Sequence, residues 1–324
     1  MNTMKWLVKR EFWEHKGGFF WTPAVVGLIM TLFLAVTVVV ALTVGKQHGI
    51  HINGTEFGDL SSAMSAEDKT KAVAAMTHGY MSSSAPLFMV LAFVVFFFSL
   101  GSLFDERKDR SVLFWKSLPV SDGETVLAKV AMALVVAPLI TLVFATITSL
   151  LSLIILTAGG AAGGLNLFGA ILSSPAVYAA PFQVLAILPV YVVWALPTVG
   201  WLMMVSAWAR TKPFLWAVGA PLLVGALLSW FDAMFGFHWN ISWFWQHIIG
   251  RGLASVVPGS WFAFVDPTGG FQVSQVSHDN GPNLMIVVAQ SWKVLATADA
   301  WIGAAIGSAM IFAAVRLRRW KDEG

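Results

Sequence analysis

The chain contains no cysteine, and only 11% of its 324 residues are charged. The lack of cysteine excludes disulfides, thiolate metal sites and thiol nucleophiles. Soluble domains carry roughly 25% charged residues, so a water-facing globule is disfavoured. Since 57% of the residues are hydrophobic, the composition predicts one polytopic membrane domain that spans residues 1–324.

The motifs of several common enzyme classes are also missing. There is no HExxH, no GxSxG and no GxxxxGK[ST], which removes the usual signals for zinc proteases, esterases and nucleotide phosphates. We therefore predict that the chain is not itself an enzyme. We also expect it to bind no cofactor or metal and no nucleic acid.

Acidic residues are absent from two long stretches, between Glu14 and Glu56 and between Glu124 and Asp232. Ion-coupled transporters and proton pumps normally need ionisable groups at membrane depth. The apolar cores of the spans defined next contain no charged residue. A transport mechanism driven by ions is therefore disfavoured, and any driving energy should come from a partner.

Six apolar stretches are long enough to cross a bilayer, which takes about 20 residues per helix. They cover residues 21–44, 86–104, 130–156, 181–208, 214–231 and 300–315. The fourth contains Pro181, Pro189 and Pro197, so we expect a kink or an interruption there. The predicted fold class is an all-α membrane protein with six transmembrane helices.

The positions of Lys and Arg predict the orientation. Fifteen of the 20 lie before the first span, in the second and fourth connections, or after the last span. Cytoplasmic loops carry such an excess. We therefore predict a multi-pass protein of the cell's inner (cytoplasmic) membrane with both termini in the cytoplasm.

The segments outside the spans have patterns of their own. Residues 1–18 predict an amphipathic interfacial helix, although a basic tail with chance periodicity remains the alternative. In the first external segment, 46–84, Ser65 and Asp68 predict the start of a helix. The external segment 232–298 is rich in tryptophan, and residues 242–257 predict re-entrant helices that end at Pro258-Gly259.

Two glycine patterns give further predictions. The Gly- and Ala-rich stretch 158–180 predicts irregular structure. Gly303 and Gly307 form a GxxxG pair that permits a close contact between helices, although such a pair also arises by chance in an Ala/Gly-rich helix.

The connection between the second and third predicted spans, residues 105–129, is the most informative segment. It opens with a dense mixture of acidic and basic residues, followed by an apolar stretch that Pro119 ends. Ser121 and Glu124 then form a capping box for the next helix. Such a short helix suits a docking element for a partner, and it equally suits a basic loop on the lipid surface.

This segment resembles the first cytoplasmic loop of the permease subunits of ABC transporter type-2 exporters. In that family a charged stretch and a short apolar helix precede L-P-(V/L)-S and a helix with a Gly-Lys or Ala-Lys pair. The matching residues here are Leu118, Pro119, Val120, Ser121, Ala128 and Lys129. The order of surface helix, six spans and re-entrant segment is similar too, whereas the sizeable external segment after the first span departs from the pattern.

The resemblance implies a function and a set of partners. The chain would be the permease of an ATP-driven exporter, pairing with a second permease copy as a homodimer. Separate ATPase subunits would bind ATP and Mg from the cytoplasm. The coupling helix would place Val112, Leu113, Phe114 and Trp115 in a groove of the ATPase, while Asp105, Glu106, Arg107 and Arg110 make ion pairs at its rim. Leu118 and Pro119 complete the set of coupling residues.

By the same resemblance, the second and fifth spans would line the transport pathway at a two-fold axis, with Phe93, Phe97, Trp216 and Trp230 as candidate lining residues. These aromatic side chains suit an amphipathic or lipid-like substrate moved out of the cytoplasm or the inner leaflet, and they would equally suit contact with membrane lipid. A membrane anchor or assembly scaffold that does not transport is the alternative function, and a secondary transporter is a weaker one.

Overall fold

The computed structural model describes residues 3–47, 51–52, 55–56, 64–109, 120–237, 239–264, 277–278 and 281–321. Six helical stretches in these ranges are long and apolar enough to cross a membrane: Gly17–Gly45, Ala66–Lys108, Asp122–Ala162, Pro175–Trp208, Leu215–Phe235 and Ala298–Trp320. The chain is a helical multi-pass membrane protein, as the sequence predicts.

The described α-helices carry the following labels in chain order: α1 Thr3–Glu14, α2 Thr22–Gln47, α3 Ala66–Gly79, α4 Ala85–Gly101, α5 Phe104–Lys108, α6 Asp122–Ala131, α7 Ala137–Ala162, α8 Phe168–Leu172, α9 Pro175–Leu185, α10 Leu188–Trp208, α11 Ala220–Phe235, α12 Ile241–Trp243, α13 Arg251–Ala254, α14 Trp261–Phe264, α15 Leu284–Val294 and α16 Ala298–Lys321.

Turns of other helical geometry join several of these helices. Wider π-type turns cover Gly17–Trp21, Met132–Val136, Leu215–Gly219 and Phe244–Gly250, and a 3-10 helix covers Tyr80–Ser84. Two antiparallel pairs of two-residue strands complete the described secondary structure: β1 His51–Ile52 with β2 Thr55–Glu56, and β3 Ser277–His278 with β4 Gly281–Pro282.

Helix α10 lies at the centre of the bundle, where it packs against α16 and α4. Its side chains Trp194, Leu202 and Met203 are fully buried. Helix α2 is at the other extreme: it packs on α7 and leaves Ile29 and Phe33 exposed. An apolar exposed face suits contact with lipid, so α2 lies at the periphery and α10 in the core.

The helices α10 and α16 approach each other most closely at two glycines, Gly200 and Gly307. A Cβ atom on Gly307 would lie 2.5 Å from the Leu196 carbonyl oxygen and 2.7 Å from the Pro197 nitrogen. Real Cβ atoms do not come that close to backbone, so only glycine fits. The close helix contact predicted from Gly303 and Gly307 is confirmed, and it lies within one chain.

The predicted interruption of the fourth span is confirmed. Helix α9 ends at Leu185, and α10 begins at Leu188 with Pro189 in its first turn. Proline has no N–H to donate, which costs nothing in a first helical turn and favours a helix start at this point.

Both capping boxes predicted from the sequence lie at the start of a helix in the structure. The Oγ of Ser65 accepts a hydrogen bond from the Asp68 N–H at 3.1 Å, and the Asp68 carboxylate accepts from the Ser65 N–H at 3.3 Å. Ser121 and Glu124 make the same reciprocal pair before α6. Both pairs satisfy N–H groups that a helix start leaves without partners.

One expectation needs correction, and one helix was not predicted. The prediction of irregular structure over 158–180 is wrong, because α7 continues to Ala162 and α8 and α9 follow; the glycines mark where α7 ends, with Gly164 at φ 90°. The apolar helix α15 has no counterpart among the predictions. Its first turn is capped by the Asn283 side chain, which accepts from the Met285 N–H.

Candidate functional site: a buried ion cluster

Five charged side chains meet at the end of the bundle where α4 ends and α6 begins. We call Glu11, Glu106, Asp122, Lys129 and Arg318 the ion cluster. They come from α1, α5, α6 and α16, which are far apart in the sequence. The cluster therefore connects the N-terminal helix, both ends of the segment 105–129 and the last helix.

Lys129 lies at the centre of the ion cluster. Its ammonium nitrogen is 2.8 Å from the Glu11 Oε2 and 3.0 Å from the Glu106 Oε1. The side chains of Lys129 and Glu11 are each only 1% exposed, and that of Glu106 is 8% exposed. An ammonium group so far from water is stable only next to carboxylates, and here it has two.

Arg318 closes the cluster from the last turns of α16. Its Nη1 is 2.7 Å from the Glu106 Oε2, and its Nε is 3.1 Å from the Asp122 Oδ1. Glu106 thus bridges Lys129 and Arg318 with its two oxygen atoms. Charge-assisted bonds at these distances are among the stronger hydrogen bonds in proteins.

Arg10 lies at the edge of the cluster, 3.6 Å from Glu106 and 3.2 Å from Glu14. With Arg10 and Glu14 included, three cationic side chains face four carboxylates. Removal of a buried cation such as Lys129 therefore leaves a buried carboxylate without compensation.

The one-turn helix α5 is held in place by the end of α10. The N–H groups of Leu103 and Phe104 donate to the Ser206 hydroxyl at 3.1 and 3.0 Å. The Arg107 guanidinium donates to the backbone carbonyls of Ser206 and Ala209. These bonds fix the position at which the chain leaves α4 and enters the segment 105–129.

Helix α6 brings Lys129 back to the same place. Its capping box at Ser121 starts the helix, and Lys129 follows two turns later, on a face that also buries Val126. Helix α1 meets this face, and its Leu7 and Glu11 are buried one turn apart. The N-terminal helix therefore packs on protein, while Trp6 and Trp13 remain exposed.

The predicted coupling residues divide into three groups. Asp105 is exposed. Glu106 and Arg107 bond within the chain, as described above, and their ion pairs at a partner's rim stay a prediction. The remaining residues lie outside the described residues: Arg110, Val112, Leu113, Phe114, Trp115, Leu118 and Pro119.

The four candidate pathway residues are all exposed: Phe93, Phe97, Trp216 and Trp230. Phe97 stacks on Phe214 with ring centroids 6.4 Å apart. The second and fifth spans therefore touch through aromatic rings at this point. The role of this aromatic face in a transport pathway stays a prediction.

One group of acidic and histidine side chains among the described residues has ligand atoms close enough for a metal ion. Glu11, Glu14 and His15 place one such atom each within 4.8 Å of one another. However, the Lys129 ammonium already neutralises Glu11 at 2.8 Å. A cation there would have to compete with Lys129, so we assign no metal to this group.

The sequence predictions missed Glu11, Asp122 and Arg318 as site residues, and they gave Lys129 only as part of a motif. A signal for Glu11 exists in the sequence, because it follows Leu7 by four residues and so lies on the apolar face of α1. A carboxylate on an apolar face needs a buried cation. Nothing in the sequence says which of the 20 basic residues supplies it.

No protein-family model, curated protein or solved structure matches this chain.

Proposed function

We propose that the chain is the membrane-spanning permease subunit of an ATP-driven ABC exporter, energised by separate ATPase subunits. The observation that carries this proposal is the ion cluster at the two ends of the segment 105–129. Glu106 stands where the segment begins, Lys129 stands where it ends, and the two side chains form an ion pair at 3.0 Å.

This arrangement suits the transmission of force from a partner to the membrane helices. A force applied to the middle of the segment would be transmitted directly to α4 and α6, because the chain connects the segment to both helices. The cluster adds α1 through Glu11 and α16 through Arg318. Four helices would therefore respond together to a subunit bound at 110–119.

The sequence of the segment supports the same proposal. The Leu118-Pro119-Val120-Ser121 run and the Ala128-Lys129 pair resemble the coupling loop of the type-2 exporters. The ion pairs give Lys129 of that pair a physical role, since its ammonium group holds the two ends of the loop together. The chain has no phosphate-binding loop, so the proposal requires that ATP and Mg are bound by another subunit.

The exposed aromatic side chains of the second and fifth spans support the transport part of the proposal. Phe93, Phe97, Trp216 and Trp230 are each between 47% and 64% exposed. A second copy of the chain that packed near this face would form an apolar path for an amphipathic or lipid-like substrate. The excess of Lys and Arg supports an orientation with the segment 105–129 and both termini in the cytoplasm, where an ATPase subunit would bind.

The test is to purify the chain from its native host in mild detergent. We expect an ATP-hydrolysing subunit to co-purify in equal number, and its activity to respond to apolar compounds. The variant Phe114→Ala/Trp115→Ala should lose this subunit, because interface energy concentrates in a few aromatic side chains. The control Phe33→Ala/Phe182→Ala removes two exposed aromatic rings elsewhere and should retain it.

Two results would contradict the proposal. Absence of any ATP-hydrolysing subunit would favour a membrane anchor or scaffold. Uptake or efflux that follows an ion gradient and continues without ATP would favour a secondary transporter.

A further inference from the structure

A second feature lies at the end of the bundle away from the ion cluster. A cavity of about 360 Å³ opens between α10, α11, α16 and the helical segment 241–254. Its walls are mainly apolar and include Trp201, Pro221, Ile248, Ile302, Ile306 and Met310. Ile302 and Ile306 are about half exposed, so the cavity is open on the side where α16 faces the surrounding membrane.

Three polar residues, Arg251, His247 and Asp299, line this largely apolar cavity, and Arg251 is the most informative of them. It is 92% buried, and its guanidinium carbon lies 4.4 Å from the centre of the Trp194 ring. Its Nη2 donates to the backbone carbonyl of Asp299, and its Nε has no hydrogen-bond partner. The position of α13 is itself fixed, since Thr198 and Ser255 both donate to the Arg251 carbonyl.

No carboxylate in the described part of the chain forms an ion pair with Arg251. In the ion cluster, by contrast, each buried cation has at least one carboxylate within 3.1 Å. Asp299 also lines the cavity, and its charge acts on Arg251 without forming an ion pair with it. An arginine stays protonated in proteins, so the positive charge at the cavity wall is only partly compensated.

The depth of this charge can be judged along α16. A Cβ atom on Gly303 would lie 2.8 Å from the Arg251 guanidinium carbon, so the two residues are level. Gly303 precedes Arg318 by fifteen residues, which corresponds to about 22 Å of helix. A bilayer core is about 30 Å thick, so with the ion cluster at one edge of this core Arg251 would lie in the opposite half. Ionisable groups at such depth are costly and usually serve a function.

We infer that this cavity binds an anionic phospholipid from the membrane leaflet at that end of the bundle. The phosphate supplies the directly bonded anion that Arg251 lacks, since guanidinium groups match phosphate oxygen atoms well. One acyl chain lies against the apolar walls. The cavity is at the small end of ligand sites, which start at roughly 300 Å³, so the rest of the lipid stays in the bilayer.

The inference is independent of the proposed export function, because a lipid can bind here whether or not it is transported. The test therefore measures binding alone. The purified, delipidated protein is titrated with phosphatidylglycerol or with phosphatidylcholine of the same acyl chains, and bound lipid is counted by native mass spectrometry. We expect one phosphatidylglycerol to be retained at least about tenfold more tightly, the effect of one desolvated charge-assisted contact.

Three variants make the test specific. Arg251→Gln should bind the two lipids equally. Ile306→Trp should fill the cavity while leaving the charge in place, and it should lose the retained lipid even if Arg251→Gln does not fold. The control Ile29→Trp makes the same change at an exposed position of α2 and should behave as the unchanged protein.

Equal retention of the two lipids by the unchanged protein would overturn the inference. So would a preference for phosphatidylglycerol that survives both Arg251→Gln and Ile306→Trp.

Discussion

Replacement of Lys129 by methionine removes the central cation of the ion cluster while keeping the length of the side chain. Glu11 and Glu106, which are 1% and 8% exposed, then lose an ammonium group at 2.8 and 3.0 Å. Breaking a buried ion pair by removing one partner typically costs about 3–5 kcal/mol. Glu106 still forms its ion pair with Arg318, and a carboxylate left without a cation can take up a proton. We therefore expect a loss of stability at the lower end of this range, about 3 kcal/mol.

The assay is thermal unfolding in detergent, followed as loss of the monodisperse protein in size-exclusion chromatography. At about 2 °C per kcal/mol for a chain of this size, the midpoint should fall by roughly 6 °C. The control is Lys71→Met, which removes a half-exposed lysine paired with the exposed Glu67 at 2.8 Å. Exposed helix pairs of this kind contribute about 0.3–0.5 kcal/mol, so the control should shift the midpoint by about 1 °C or less.

A second substitution tests whether the unpaired carboxylate of Glu11 causes this loss of stability. Glu11→Gln in the Lys129→Met background removes the stranded charge, so the double variant should be more stable than Lys129→Met alone. The account of the cluster is refuted if Lys129→Met unfolds within 1 °C of the unchanged protein, or if the second substitution lowers the midpoint further.

Two more predictions concern packing and orientation. Gly307→Ala places a Cβ against the backbone of Leu196 and should destabilise the protein by about 1–3 kcal/mol in the same unfolding assay. The control Gly169→Ala, where no atom lies within 4 Å of the added Cβ, should change the stability little. A Gly307→Ala variant as stable as the unchanged protein would contradict the close contact. The orientation can be tested because the chain has no cysteine, so a single introduced thiol can be labelled in intact cells by a membrane-impermeant maleimide. We expect Ser82→Cys to react and Ser117→Cys not to react. The reverse pattern would contradict the predicted topology.

The sequence was sufficient to predict the six spans, because each is a long apolar run and needs no knowledge of its neighbours. The start of α6 was equally predictable, since a capping box is a local arrangement of Ser121 and Glu124. The break before Pro189 is local too. These features depend on residues within one turn or two of each other.

The ion cluster was not predictable, because it depends on pairs such as Glu11 with Lys129 and Glu106 with Arg318, separated by more than 100 residues. The charges of the segment 105–129 are equally compatible with a solvated loop until the position of α16 is known. Arg251 was overlooked for the same reason: its burial results from contact with Trp194 and Gly303, which lie on other helices.

The central claim is that residues 110–119 contact an ATP-hydrolysing subunit, and a crosslink tests it most directly. Ser117→Cys in the cysteine-free chain can carry a photoactivatable crosslinker in native membranes, with Ser82→Cys as the control at an exposed position of the 3-10 helix Tyr80–Ser84. The account predicts that Ser117→Cys alone is crosslinked to a subunit that hydrolyses ATP. A Ser117→Cys chain crosslinked only to lipid, or a control crosslinked to the same subunit, would contradict it.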